Sequence, residues 1–305
     1  MAAYDLLVLT GPTASGKTAL AAAVACRLGS EIISADSRQV YRGMDIGTGK
    51  DYADYTVNGK KIPVHLIDIV DPGYKYNVFE YQRDFLRVYN DIRDRGIMPV
   101  VCGGSGLYIE SIIRGYKLIE VPPDKELRKE LETKDMGELT SILESFRKLH
   151  NTTDIDTKKR VIRAIEIEKY YLQHQVGDIA FPVLRSLVMG VRFDRESRRE
   201  RISQRLKERL SKGMIEEVKG LLDNGAEVET LVYYGLEYKY ITLYITGRIS
   251  YETMYRSLEI AIHRYAKRQM TWFRGMERRG IKIHWLDGDL PTEDKVDKIL
   301  NMLDS

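Results

Sequence analysis

The sequence predicts an α/β fold, a parallel sheet flanked by helices, with a helical insertion. Three observations carry this. Short apolar runs alternate with longer helical stretches through the first third of the chain, the spacing of strand–helix–strand units. A Gly-rich loop joins the first run to the first helix. After Pro122-Pro123 the sequence turns helical and charged with no strong strand, and apolar strand character returns only near Ser186.

Taken in order, Leu6–Leu9 is an apolar run bounded by Gly11-Pro12 and reads as a buried strand. Lys17–Leu28 is Ala-rich and stops at Gly29, as a helix with a glycine C-cap does. Glu31–Ala35 and Val64–Val70 read as strands, the second closed by Asp71-Pro72-Gly73. Asn77–Arg95 has helical periodicity and ends at Gly96. Pro99–Cys102 is a fourth strand running into Gly103-Gly104-Ser105-Gly106. Asp124 to Tyr171 reads as helical throughout. Ser186–Phe193 returns to the sheet. Arg195–Lys212 is a basic amphipathic helix with Ile202, Leu206 and Leu210 at i, i+4, i+8. Tyr251–Arg279 is a long helix and Ile281–Trp285 a last short strand. The expected division is therefore a core of residues 1–121 and 182–305 around a helical insertion, 122–181.

Composition narrows the function. The chain has 305 residues, 43% apolar and 30% charged, enough for a sizeable core and a soluble surface. No apolar run approaches the roughly 18 residues of a membrane span, and the N-terminus lacks the basic segment of a signal peptide. The two cysteines, Cys26 and Cys102, offer neither a disulfide framework nor zinc-site spacing, which fits a reducing cytoplasm. Net charge is only +3, but basic residues cluster from Arg192 to Lys212 and from Arg264 to Lys282. Each cluster reads either as a polyanion-binding face or as a solvated helix surface. Most of the 20 tyrosines are expected in packing, with some available to stack on bases.

The sharpest motif is Gly11-Pro12-Thr13-Ala14-Ser15-Gly16-Lys17-Thr18, which fits G-x-x-x-x-G-K-[ST] between a strand and a helix. This is a P-loop: glycines let the backbone curl round an anion with its amides pointing inward, Lys17 adds charge, and Thr18 offers a hydroxyl to Mg²⁺. Asp36 follows the second strand, at the sheet edge where ligands of open α/β folds bind. It reads as a Mg²⁺ ligand, a general base or a capping residue.

Six segments, in this order and spacing, resemble the tRNA dimethylallyltransferase (isopentenyltransferase) family over nearly the whole chain. They are Gly11–Thr18, Asp36–Tyr41 with Asp45–Thr48, His65–Asp68, Gly103–Tyr108, Arg160–Glu166 and Ala266–Arg274. The resemblance implies transfer of a dimethylallyl group from its diphosphate to the exocyclic amine of the adenosine 3′ of the anticodon, in tRNAs reading codons that start with U. The P-loop residues Gly11 to Thr18 would hold the diphosphate with Arg201, and Mg²⁺ would sit on Thr18. Asp36 matches the family's general base, with Lys17 and Ser105 completing the catalytic set. Ser105 stands where the family usually has Thr. Residues matching tRNA-contacting positions are Asp36, Ser37, Arg38, Gln39 and Ser105, and in the insertion Arg128, Lys159, Arg160, Val161, Ile162 and Arg163. Each arginine equally reads as one half of a surface ion pair, Arg163 with Glu166 or Glu168 and Arg201 with Glu200 or Glu208. Glu237-Tyr238 departs from the family's frequent Gly-Tyr. The sequence carries no C-terminal Cys/His module, which fits the bacterial type. His65 reads as structural, and Trp272 and Phe273 as core. The anticodon arm of tRNA and dimethylallyl diphosphate are the expected partners, for a monomer. Rival readings are prenylation of free AMP, a small-molecule kinase with ATP in the P-loop, and a non-catalytic RNA-binding or nucleotide-switch module.

Overall fold

The computed structural model describes residues 3–146, 155–174 and 181–304. Residues 147–154 and 175–180, which fall within the helical insertion read from sequence, lie outside these. The chain folds as two compact units, 1–116 with 182–305, and 117–181.

The first unit opens with β1 (Leu6–Thr10), whose five residues are buried without remainder. Removing each leucine side chain from water contributes about 2 kcal/mol. Helix α1 (Lys17–Leu28) follows and ends on Gly29 at φ 60°, with the amides of Gly29 and Ser30 returning to Cys26 and Ala25. That is a glycine-capped terminus of the kind the sequence announces. Next is β2 (Ile32–Ser34). A one-turn helix, 52–55, leads into a separate hairpin, β3 (Thr56–Val57) and β4 (Lys60–Lys61), closed by Asn58-Gly59 with both residues at positive φ.

The strand read over Val64–Val70 is shorter: β5 covers only Val64–His65. Leu66 (φ 60°) and Asp68 (φ 54°) take left-handed backbone, which ends the extended chain. This twist turns the Asp68 carboxylate onto the buried Lys50 ammonium and the Tyr52 hydroxyl, so these contacts replace the expected sheet over residues 66–70. Val70 meets the fold again through a single bridge to Tyr41.

Helix α2 (Val78–Asp94) begins with a reciprocal capping box between Asn77 and Glu80. It leads to β6 (Val100–Gly103) and α3 (Gly106–Ile113). In the second unit, α4 (Lys125–Glu132), α5 (Met136–Phe146) and α6 (Lys158–His174) pack their own apolar cluster around Leu131, Leu139, Leu143, Val161 and Ile165. The first unit resumes with β7 (Ser186–Arg192) and α7 (Arg195–Ser211). Three short helices follow, α8 (Met214–Asp223), α9 (Val228–Tyr233) and α10 (Leu236–Ile245). The long α11 (Tyr251–Arg278), β8 (His284–Asp287) and α12 (Thr292–Leu303) complete it. The last strand starts later than Ile281 because the Ile281 amide still bonds back to Met276 at the end of α11.

All six strands of the main sheet are parallel, in the order β5-β2-β6-β1-β7-β8. Neighbouring β1 and β6 both end at the same edge, with Thr10 opposite Gly103. The Gly-rich segments after them are therefore neighbours, beside the residues that follow β2. His65 bonds Glu31 at 2.7 Å, a structural role, and Phe273 is fully buried. Trp272 is only half-buried and lies against Gly106.

Candidate active site

The loop after β1 takes its shape from sterics. A Cβ on Gly11 would fall 2.7 Å from the Val191 carbonyl. Ala14 (φ 62°) and Gly16 (φ 73°) are left-handed, the alternation that turns successive amides toward one point. Lys17 begins α1 and reaches back to the Pro12 carbonyl at 3.4 Å. Burial pushes its ammonium below the usual lysine range, opposed by the negative charge of Asp36. Burial also pushes the Cys102 thiol up to about 11, which leaves it uncharged near neutrality. Asp36 is then the anion that supports Lys17.

Asp36 leaves β2 in a tight turn. Its Oδ1 accepts from the Arg38 amide at 2.9 Å, so it caps a turn and also lines the cavity in front of the P-loop. Ser105 holds that turn from the β6 side: its Oγ accepts from the Ser37 amide at 3.0 Å and lies 3.2 Å from the Ser37 hydroxyl. Gly103 is required there, since a Cβ would fall 2.1 Å from the Ala35 carbonyl oxygen. Arg38 lies over the Tyr233 ring, 5.7 Å from its centroid. Both ends of the Gln39 amide are engaged within the protein, with Gly49 at 3.0 Å and Ser34 at 3.3 Å.

The opposite wall comes from distant sequence. Gln269 of α11 accepts from the Thr13 amide at 2.9 Å and donates to the Gly104 carbonyl at 3.0 Å, tying the P-loop to the second Gly-rich turn. Glu217 of α8 accepts from the amides of Asp45, Ile46 and Gly47 and from the Tyr238 hydroxyl at 2.6 Å, which fixes the Asp45–Thr48 loop. Lys50, buried, anchors the end of that loop on Asp45 at 2.9 Å and on Asp68. Arg201 of α7 donates to the Ala14 carbonyl at 3.1 Å and stacks over Phe193 at 4.3 Å. Among the described residues it pairs with neither Glu200 nor Glu208.

These parts enclose a cavity of about 590 Å³ lined by the P-loop, Asp36–Gln39, Gly47–Gly49, the α7 arginines, Gly235–Tyr238, Tyr265 and Gln269. Glu237 lies on this wall, and burial raises its carboxyl above the usual range against the pull of Arg209. Sequence reading missed Gln269, Glu217, Lys50 and Arg209 as site residues. Gln269 lies inside the Ala266–Arg274 motif, and Glu237 is visible as a departure from the family pattern.

The insertion residues singled out from sequence lie in the second unit. Arg128 makes a two-pronged contact with Glu166 at 2.8 and 2.7 Å, and Arg163 also bonds Glu166 while donating to the Val121 carbonyl at 2.8 Å. Arg160 pairs with Asp156 at 2.9 Å. Val161 and Ile162 bury their side chains in the unit's core, while Lys159 is exposed.

Comparisons with known proteins agree with one another. The model of the IPP transferase family matches residues 39–276, and that of isopentenyl transferase matches 4–64. A tRNA dimethylallyltransferase 2 of Phocaeicola vulgatus is 61% identical over 303 residues, covering 99% of both chains. A tRNA dimethylallyltransferase 1 of Parabacteroides distasonis is 59% identical over 306 residues, covering 100% of this chain and 99% of the other. The crystal structure of the full-length tRNA isopentenylpyrophosphate transferase of Bacillus halodurans superposes with a TM-score of 0.71 at 32% identity, over 98% of this chain and 95% of that one. A eukaryotic dimethylallyltransferase acting on tRNA shares the fold, with a TM-score of 0.77 at 22% identity over 97% of this chain and 77% of that one.

Proposed function

The chain belongs to the IPP transferase family, and from this membership and the cavity's chemistry we propose the following reaction. A dimethylallyl group passes from dimethylallyl diphosphate to N6 of the adenosine 3′ of the anticodon in tRNA. The observation that supports it best is that the P-loop and Asp36 line one cavity and sense each other's charge. A P-loop alone holds phosphate. A carboxylate facing it supplies the second half of an alkyl transfer.

An adenine amine is a poor nucleophile because its lone pair is delocalised into the ring. As N6 attacks the allylic carbon, the N–C bond forms, the C–O bond to diphosphate breaks, and the N–H proton passes to Asp36. The turn held by Ser105 and the Arg38 amide fixes the carboxylate for that transfer. Lys17, Arg201 and the inward amides meet the charge that builds on the departing diphosphate. The target base must leave the anticodon stack to reach Asp36. Ser37 and Arg38 stand at the cavity wall to receive it, and Gln39 braces the turn from behind.

Thr18 is the residue that would hold Mg²⁺. Among the described residues no group of three or more His, Cys, Asp or Glu could hold a metal. A lone hydroxyl beside phosphates suits an ion that keeps its waters and takes substrate oxygens. When bound it would neutralise diphosphate charge. The insertion's Arg128, Lys159, Arg160 and Arg163 are the residues through which the second unit would meet tRNA phosphates, with Val161 and Ile162 seating that helix. The chain would act as a monomer in the cytoplasm; no described helix is long and apolar enough to cross a membrane.

The test mixes protein, Mg²⁺ and labelled dimethylallyl diphosphate with unmodified tRNA or with AMP. Label should enter tRNA, and Asp36→Ala should lower the rate by about 100- to 10,000-fold. Label entering AMP alone would overturn the tRNA reading, and an unimpaired Asp36→Ala would overturn the base.

A further inference from the structure

Helix α7 spaces Arg201, Arg205 and Arg209 four residues apart, so they share one face, and all three line the cavity that contains the P-loop. Two of them have partners. Arg201 donates to the Ala14 carbonyl and Arg205 to Asp51 at 2.6 Å. Arg209 differs. Only 11% of its side chain is exposed, yet its Nε and one terminal nitrogen have no hydrogen-bond partner. Its ion pair with Asp51 is long, 3.8 Å, and that carboxylate is already hydrogen-bonded by Arg205.

A buried guanidinium with open N–H groups is costly unless an anion completes it. Its terminal nitrogen packs closely on the backbone at Gly49, where a Cβ would fall 1.9 Å from it. It stays charged at neutral pH, although burial and then the charge of Arg205 pull it down to about 10. Its charge reaches the P-loop, since Arg205 and Arg209 both act on the Lys17 ammonium. The sequence reading gave the diphosphate only the P-loop and Arg201.

We propose that Arg209 is a further ligand of the diphosphate, a cation that grips the leaving group beside Lys17 and Arg201. The proposal rests on the reading that the P-loop holds a prenyl diphosphate. Two planar N–H donors aimed at phosphate oxygens suit that anion. Glu237, buried on the same wall, balances the charge at a distance without occupying those donors.

The probe is inorganic diphosphate, measured with Mg²⁺ as an inhibitor competing with dimethylallyl diphosphate. Full-length wild type, Arg209→Met and Arg209→Lys are compared, with KM for both substrates and the melting temperature recorded. In Arg209→Met the inhibition constant and the KM for dimethylallyl diphosphate should rise by roughly 10- to 100-fold, the loss of a charge-assisted hydrogen bond. The KM for tRNA should hold, and Arg209→Lys should recover part of the effect. An unchanged inhibition constant in a folded Arg209→Met overturns the proposal. So does a raised KM for tRNA alone, which would give Arg209 to a tRNA phosphate instead. If Arg209→Met does not fold, Arg209→Gln carries the same comparison. A wild type indifferent to diphosphate would instead overturn the P-loop reading itself.

Discussion

The arginines of α7 and those of the inserted helices carry the same charge in different surroundings. In the insertion, Arg128 and Arg163 converge on one buried carboxylate, Glu166, and Arg160 is answered by Asp156 one turn away. On α7, Arg201 meets a backbone carbonyl and an aromatic face, and Arg209 keeps open donors. Sequence could not separate the two sets, because both sit on charged helices with acidic neighbours. What separates them is what each side chain meets. Glu166 and Asp156 answer the insertion arginines, and the P-loop meets Arg201. Arginines answered by close carboxylates hold a structure together, whereas Arg209, with open donors in the P-loop cavity, has capacity left for an anion.

That contrast can be broken at either end. Arg201→Ala should show the largest effect, a fall of about 100- to 1,000-fold in kcat/KM, the size seen when a donor aimed at developing charge is removed. Its melting temperature should stay within about 2 °C of wild type. A large loss of melting temperature with normal turnover would make Arg201 structural, and the contrast would fail. Glu166→Gln should do the reverse. It strips the charge from the hub of the insertion and should destabilise that unit by about 2 kcal/mol, read as faster hydrogen exchange over residues 117–181. Acid should act the same way. Burial pushes Glu166 up, but the bonds from Arg128 and Arg163 outweigh it, and the net carboxyl value lies below the ordinary 4.5. A depressed folded value means that the stabilisation is complete above 4.5 and fades as pH falls below it. Equal exchange in wild type and Glu166→Gln at neutral pH would show that the hub does not hold the unit.

What was legible in the sequence follows the same division. The P-loop, Asp36 and the Gly103–Gly106 turn were readable because each is a local motif at a strand end, where backbone shape and chemistry lie within a few residues. The parallel character of the sheet followed from the strand–helix–strand spacing, whereas the order of its strands did not. The far wall was not readable. Gln269 acts 256 residues from Thr13, and Glu217 more than 160 from the loop it fixes. No periodicity encodes such a meeting. The Val64–Val70 strand misled for a related reason: its apolar pattern is real, but Asp68 is drawn out of the sheet by Lys50, 18 residues away. The short helices α8 to α10 went unassigned because six to ten residues hold too little periodicity to stand out.

The finest test concerns Arg160, where the two readings of an insertion arginine differ least in stability and most in binding. Its pair with Asp156 is half-exposed at both ends, with 55% and 50% of the side chains open to water. Such a pair contributes at most about 0.5 kcal/mol, so Arg160→Ala should leave melting nearly unchanged. If Arg160 also meets a tRNA phosphate, the variant should bind tRNA more weakly, and the slope of log affinity against log salt should flatten by about one counterion. An exposed arginine can do both, because Asp156 takes only one of its donor nitrogens. A salt slope identical to wild type would leave Arg160 as a surface pair alone. The insertion's positive charge toward tRNA would then rest on Lys159 and on the exposed parts of Arg128 and Arg163 beside Glu166.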